Sequence, residues 1–340
     1  MSQPSFAIVP GRQVRSVLSG REKAMLEVVE HAYVRHGAGQ TVNPPSYFLR
    51  FPDRPDSRII ALPASVGGDD AVDGIKWISS FPGNITGGLP RASAVLVLND
   101  PATGYPYACL ESSVISATRT AASAALAADV LTRDRPRPRR VGFFGTGLIA
   151  RYVHQFLAGT GWTFDEIGLH DLSVDYANEF AGYLDRAGES APARVHDTPE
   201  ALIRSCDLIV FATVAGTPHV DDLSWFAHNP LVLHVSLRDL DPRIILASAN
   251  VVDDVEHCLK ANTSVHLAEQ AVGHRRFVHA TLHDVMTGHV RMQADRPLVF
   301  SPFGLGVLDL AVGKYVYDQL AANGDLTVVD GFFDELRRHG

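Results

Sequence analysis

Residues 140–150 read RVGFFGTGLIA: an apolar stretch, Val141–Phe144, runs directly into Gly145-Thr146-Gly147-Leu148-Ile149-Ala150, and a helical pattern follows. Strand, glycine turn and helix in that order describe the opening of a βαβ unit in a parallel sheet. The GxGxxA spacing lets the chain turn tightly and lets a pyrophosphate approach the backbone N–H groups at the start of the helix. A second apolar stretch, Glu166–Asp171, ends in an acid about twenty residues beyond Ala150, where an adenosine ribose needs an acceptor for its hydroxyls. The next residues, Leu172 and Ser173, offer no cation for a 2′-phosphate. The turn residues Gly145, Thr146, Gly147, Leu148 and Ile149, with Asp171, are therefore expected to hold NAD rather than NADP.

The alternation continues downstream. Cys206–Val214, Leu231–Asp239 and Asn250–Asp254 read as buried strands, and Asp171, Thr213 and Asp239 fall at strand ends. In a doubly wound sheet the ligand crevice lies at the carboxyl ends of the strands, so Thr213 joins the expected cofactor site. Upstream the pattern differs. Arg21–His36 has helical spacing, and Arg58–Leu62, Gly74–Ile78 and Ala92–Leu98 read as strands. Asn99–Gly104 reads as a hairpin turn with a return strand over Tyr105–Leu110, followed by an alanine-rich helix over Ser116–Asp134. The short basic stretch Arg133–Arg140 is a solvated connector. Near the C-terminus, residues 299–324 read as a strand, a glycine turn and an amphipathic helix that packs back on the first domain. The expected fold class is α/β: a Rossmann doubly wound parallel sheet over 121–306, plus a discontinuous α+β substrate and dimerisation domain over 1–120 and 307–340.

Composition narrows the function. The 340 residues carry 30 lysines and arginines against 38 aspartates and glutamates, a net charge of -8, which argues against nucleic acid or an anionic membrane as partner. An anionic ligand must then be held by a local cluster of cations. Three scattered cysteines suggest a reducing compartment. The N-terminus lacks the pattern of a secretory signal, and no apolar run is expected to approach the roughly 18 residues needed to span a bilayer, so a cytoplasmic location is expected. Fifteen histidines raise the question of a metal. His279 and His283 sit four apart, as two ligands on one helix face would, but no HExxH occurs and no metal is expected. His170, His219, His234 and His266 read as hydrogen-bonded structural residues. No GxSxG motif supports acyl transfer.

The cations are in the first domain: Arg50, Arg58, Lys76, Arg91 and Arg119. Lys76 stands in the apolar run Gly74-Ile-Lys-Trp-Ile78, although lysine is rarely buried without a partner. Either it lies on the wet face of an alternating strand, or it faces a site that uses a cation or a tunable amine. Arg119, in a small and apolar stretch at what reads as the opening of the alanine-rich helix, can fork onto a carboxylate with the helix N-terminus adding its field. A nicotinamide domain beside these cations points to an acidic, amino-acid-like substrate.

Four segments, GIKWISSFPGN, LNDPATGYPYACLESSVISATRTAA, GFFGTGLIA and SPFGLGVLDLAVGKYVYD, resemble the ornithine cyclodeaminase/mu-crystallin family in family order, from about Arg50 to Tyr317. RIIALPASVGG, RASAVLVLNDPATGYP and SLRDLDPRII are most similar to the branch of N-(2-amino-2-carboxyethyl)-L-glutamate dehydrogenases, which serve siderophore or antibiotic biosynthesis. The resemblance implies a homodimer with a small-molecule amino-acid substrate. It implies Lys76 and Asp239 as catalytic residues and Arg119 as a carboxylate-binding residue, with Arg50 in a second such role and Arg91 beside them. Ornithine cyclodeaminases carry a glutamate where this chain has Ile60, which counts against ornithine. The activity implied is NAD-dependent oxidative hydrolysis of the branch's substrate to 2,3-diaminopropionate and 2-oxoglutarate. The alternatives are cyclodeamination of ornithine, ketimine reduction or simple amino-acid dehydrogenation, and non-catalytic binding of the mu-crystallin kind.

Overall fold

In the computed structural model, which describes residues 4–334, the chain divides into two compact units. One comprises the residues up to Arg119 together with those from Leu305 onward; the other is Thr120–Gly304.

The first unit is built on an eight-stranded sheet. Its centre runs Pro106–Glu111, Ala92–Asn99, Val72–Ser80, Arg54–Val66, all antiparallel, with Tyr47–Phe51 pairing on the last of these. Alternation explains why these segments are strands. Ala94, Leu96 and Leu98 are buried while Ser93 and Val95 are exposed, so one face of the strand meets a core and the other does not. Each fully buried leucine there contributes about 1.5–3 kcal/mol. The core face is covered by the helix Gly306–Asn323, which returns from the far end of the chain. Small residues let it press close. A side chain at Gly74 would collide with Val97 O at 2.2 Å and Leu310 Cδ2 at 2.8 Å, and one at Gly313 would meet Leu96 Cδ2 at 2.2 Å. The opposite face leaves Tyr47, Leu49, Trp77 and Val95 exposed.

The second unit is an eight-stranded, all-parallel sheet. Its strands run in the order Ala193–Val195, Glu166–His170, Arg140–Phe144, Leu208–Phe211, Leu231–His234, Leu298–Ser301, Ala249–Val252, Val278–Thr281. The central strands are buried along their whole length, as expected of a sheet covered on both faces. The order reverses at Arg140–Phe144, whose neighbours lead outward in opposite directions, so its carboxyl end is a topological switch point.

Several expectations need correction. The alanine-rich helix is Ser113–Leu131, so Arg119 is its seventh residue and lies beyond the first turn, where the helix field is felt. That helix is also apolar and long enough to cross a membrane, contrary to the reading of its composition, but 72% of its 18-residue window is buried within the fold. The Arg58–Leu62 strand extends over Arg54–Val66. His279 lies in the strand Val278–Thr281 and His283 in the helix Leu282–Met286, so they share no helix face. Among the described residues no cluster of three potential metal ligands occurs.

Candidate active site

Lys76 faces the core side of its strand, not water. Its Nζ donates to Asp309 Oδ2 at 2.6 Å and to Ser116 Oγ at 3.3 Å. Arg119 reaches the other carboxylate oxygen, with Nε 3.3 Å from Asp309 Oδ1. Asp309, in the returning helix, is fully buried, and the Arg119 side chain is 12% exposed. Two cations thus share one carboxylate. The group carries one surplus positive charge in a site nearly shut off from water, and a substrate carboxylate is the ligand that would balance it. Burial lowers the Lys76 pKa, Asp309 raises it and Arg119 lowers it again, leaving it at about 8. A lysine so placed can give up its proton near neutral pH.

Asp239 lies five residues beyond the end of the strand Leu231–His234, in a turn where Leu237 adopts a left-handed φ of 71°. Its carboxylate accepts from both sides. Thr213 Oγ1 donates to Oδ1 and His219 Nε2 lies 3.2 Å from the same oxygen; Ser236 Oγ at 2.5 Å and His234 Nε2 at 3.1 Å serve Oδ2. Burial pushes the carboxyl pKa up, but hydrogen bonds from His219, His234 and Ser236 outweigh it and hold the group well below the usual carboxylate range. Asp239 is a locked anion. Of its partners His219 is the most accessible, with a side chain 39% exposed.

The glycine turn sits at the switch point. Gly145 has φ 76°, and a Cβ there would meet Ala212 O at 2.7 Å and Thr213 Cα at 3.0 Å. Only glycine satisfies both constraints. Gly147 caps the helix Leu148–Gly159 without a side-chain bond, and a Cβ on it would meet nothing within 4 Å. The start of that helix is thus open at Gly147 and has no capping side chain, a cradle that fits a pyrophosphate. Asp171 accepts from Thr146 N at 2.8 Å, Thr146 Oγ1 at 2.9 Å and Ser173 N at 3.0 Å, which anchors the acid beside the turn. Leu148 is half-exposed, Ile149 is partly buried, and Leu172, after Asp171, is fully exposed. These residues fit NAD.

The expected site residues thus form separate groups. Lys76 and Arg119 are joined through Asp309, and Asp239 and Thr213 are bonded directly. Arg91 donates to Ser80 Oγ at 2.7 Å, and Arg50 stacks over the Phe48 ring at 5.0 Å; neither touches the Lys76 group. Asp309, Ser116, His219 and His234 complete these groups without having been assigned to a site from sequence. Asp309 was nonetheless signalled: it is the one charge in Gly306-Val-Leu-Asp-Leu-Ala-Val312, as Lys76 is in its own apolar run.

A dinucleotide-binding sheet, an anchored ribose acceptor and a buried, cation-rich group define a nicotinamide-dependent oxidoreductase of the two-unit α/β kind. Residues 12–324 match the ornithine cyclodeaminase/mu-crystallin family, and the chain belongs to it. It is 29% identical to the alanine dehydrogenase of Archaeoglobus fulgidus over 319 residues, 92% of this chain and 94% of that protein. It is 27% identical to the N-((2S)-2-amino-2-carboxyethyl)-L-glutamate dehydrogenase of Staphylococcus aureus over 308 residues, 86% of this chain and 89% of that protein. Among solved structures, an archaeal alanine dehydrogenase dimer with bound NAD superposes with a TM-score of 0.85 at 27% identity, covering 96% of this chain and all of that one.

Proposed function

We propose that this chain carries out the NAD-dependent oxidative hydrolysis of N-(2-amino-2-carboxyethyl)-L-glutamate to 2,3-diaminopropionate and 2-oxoglutarate. At the coarser level it is an NAD-dependent oxidoreductase acting on amino acids. The observation that carries the finer reading is the charge on the Lys76 face of the sheet. By register that face presents Arg58, Ile60, Leu62 and Ala64 from one strand and Ser80, Ile78, Lys76 and Gly74 from the next. These two strands bring cations and no acid, and Asp309 from the returning helix is already shared by Lys76 and Arg119, so a substrate with several carboxylates is suited and a cationic side chain such as ornithine's finds no partner at Ile60.

In this reading Gly145, Gly147 and the first turn with Leu148 and Ile149 hold the pyrophosphate, Asp171 takes the ribose hydroxyls, and Thr146 and Thr213 line the cofactor's path. NAD+ held by these residues would supply the acceptor for the hydride that leaves the glutamate α-carbon. That departure needs the nitrogen lone pair, so the secondary amine must first be neutral. Lys76, poised at about 8, takes that proton. Arg119 holds the adjacent carboxylate and keeps the α-carbon in place. Water adds to the resulting C=N bond, its proton leaves, and the C–N bond of the carbinolamine breaks with nitrogen taking a proton. Asp239 is saturated with donors and acts by orienting the His219 imidazole, which carries a proton to or from the water.

Incubation with NAD+ and the amine, read by NADH absorbance and by assay of 2-oxoglutarate, tests the reading. Equimolar NADH and 2-oxoglutarate support it. Ammonia and proline from ornithine without net NADH, or turnover of alanine alone, would replace it with another activity. We further infer that the exposed Tyr47, Leu49, Trp77 and Val95 face pairs two copies into a homodimer. Trp77→Glu should then elute as a monomer in size-exclusion chromatography with light scattering; a wild-type chain already monomeric would remove the inference.

A further inference from the structure

Ser112 stands where the strand Pro106–Glu111 ends and the helix Ser113–Leu131 begins. A serine at such a junction ordinarily caps the helix, its hydroxyl accepting from a backbone N–H of the first turn. Here Glu111 does so instead: its Oε1 accepts from Ser113 N at 2.7 Å and its Oε2 from Val114 N at 3.3 Å. The Ser112 hydroxyl is left fully buried and, among the described residues, without a hydrogen-bond partner. A buried hydroxyl in that state has lost its water and gained nothing in exchange, so the fold retains it at a cost in stability.

Two paths tie Ser112 to the Lys76 group. Leu110, Leu96 and Lys76 form one row across three adjacent strands. Two residues further, the same face carries Ser112, whose N–H donates to Ala94 O at 2.9 Å, followed across the sheet by Ala94, Ile78 and Ile60. The hydroxyl is the one polar group that these four side chains offer. Along the helix, Ser116 N donates to Ser112 O at 2.8 Å, so Ser112 lies one turn from the hydroxyl that accepts from Lys76 Nζ. Each acceptor of the Lys76 group is already engaged by a cation. Asp309 Oδ2 accepts from Lys76 and Oδ1 from Arg119, and Ser116 Oγ accepts from Lys76 Nζ at 3.3 Å and from Arg119 Nη2 at 3.5 Å. A ligand's carboxylate finds donors there. A ligand's ammonium would meet two cations at Asp309, whereas the neutral hydroxyl of Ser112 is open to it.

We propose that the Ser112 hydroxyl accepts a hydrogen bond from the substrate's primary amino group, so that the enzyme selects secondary amines that carry a second, unreacting amine. This rests on the reading of the Lys76 group as the site of amine oxidation, and it adds how the diaminopropionate end of the substrate is recognised. Two carbons separate that primary amine from the reacting nitrogen, and one helical turn, about 5.4 Å, separates Ser112 from Ser116. With a hydrogen bond of about 3 Å at each nitrogen the ligand bridges that spacing.

The test is isothermal titration calorimetry of the enzyme saturated with NADH, a complex that cannot oxidise the amine. The probes are N-(2-amino-2-carboxyethyl)-L-glutamate and N-(2-carboxyethyl)-L-glutamate, which differ only in the primary amine. The wild type should bind the first at least about tenfold more tightly, the minimum from one hydrogen bond to a charged group. In Ser112→Ala that ratio should fall to within about threefold while the melting temperature stays or rises, because the hydroxyl has no partner in the free protein. Equal wild-type affinity for the two compounds, or no binding of either, overturns the proposal whether or not the variant folds. A ratio that survives in Ser112→Ala overturns it as well, and a lower melting temperature in that variant would show a hydroxyl bonded within the fold and remove the premise. NADH formation from NAD+ is read separately: no oxidation of the proposed amine with the ratio intact sinks the reaction and leaves the Ser112 contact standing, and oxidation with equal affinities does the reverse.

Discussion

Lys76 and Asp239 are both buried ionisable side chains, and their neighbours treat burial in opposite ways. Lys76 has one full partner, Asp309, and that partner is shared with Arg119. Desolvation is therefore incompletely offset, and the ammonium is held weakly enough to deprotonate at about 8. Asp239 has four polar partners around its two oxygens, and the charge is held more firmly than in water. Equal burial yields a proton that moves in one place and a charge that stays in the other. The number and sign of the neighbours decide which.

The two groups also have different pH windows. The Lys76 pKa is lowered from 10.5 to about 8, so the folded state gives up its proton first, and this residue's contribution to stability rises as pH climbs between those values. The Asp239 pKa is depressed from 3.8, so its contribution is full at neutral pH and is lost only as the pH falls through the depressed value.

Removing the mobile proton should have the largest effect. Lys76→Ala is expected to lower kcat by about 10²- to 10⁴-fold, the usual worth of a general base, while NADH still binds by fluorescence titration. Near-normal turnover would take Lys76 out of the mechanism. Next comes the locked charge. Asp239→Asn turns an amide toward groups that donate, leaving buried partners unsatisfied at about 1–3 kcal/mol each. Both kcat and melting temperature should fall, and an unchanged melting temperature would contradict the saturated carboxylate described above. Arg119→Gln should raise the substrate KM roughly ten- to a hundredfold with a smaller change in kcat, since one charge-assisted contact is lost. The smallest effect expected is a shift. Asp309→Asn removes the partner that raises the Lys76 pKa, so the ascending limb of the pH–rate profile should move below 8; movement to higher pH would reverse the assigned electrostatics.

Much of the fold was legible because its signals are local. Alternating burial in Ala92–Asn99 and the strand–turn–helix order at Arg140–Ala150 are each written within a dozen residues. The site was less so. The Lys76–Asp309 bond joins residues 233 apart, and no spacing rule connects them. Two lone opposite charges in two apolar runs were the available signal, and either alone reads equally well as a snorkelling surface residue. His219 and His234 were read as structural because a lone histidine carries no information about a carboxylate brought to it by a turn. Arg119 was placed at a helix start because its helix begins earlier, at Ser113. Arg50 and Arg91 were grouped with Lys76 by charge and by the family resemblance; in the structure Arg50 pairs with Arg58 across adjacent strands and Arg91 bonds the Ser80 hydroxyl.

The most direct measurement is a titration of Lys76 itself, by the ¹³Cε chemical shift of selectively labelled lysine, assigned by comparison with Lys76→Arg. A midpoint near 8 is expected, moving lower in Asp309→Asn. A midpoint near 10.5, the value of an unperturbed lysine, would show an amine permanently charged at working pH and would contradict its role as the proton acceptor.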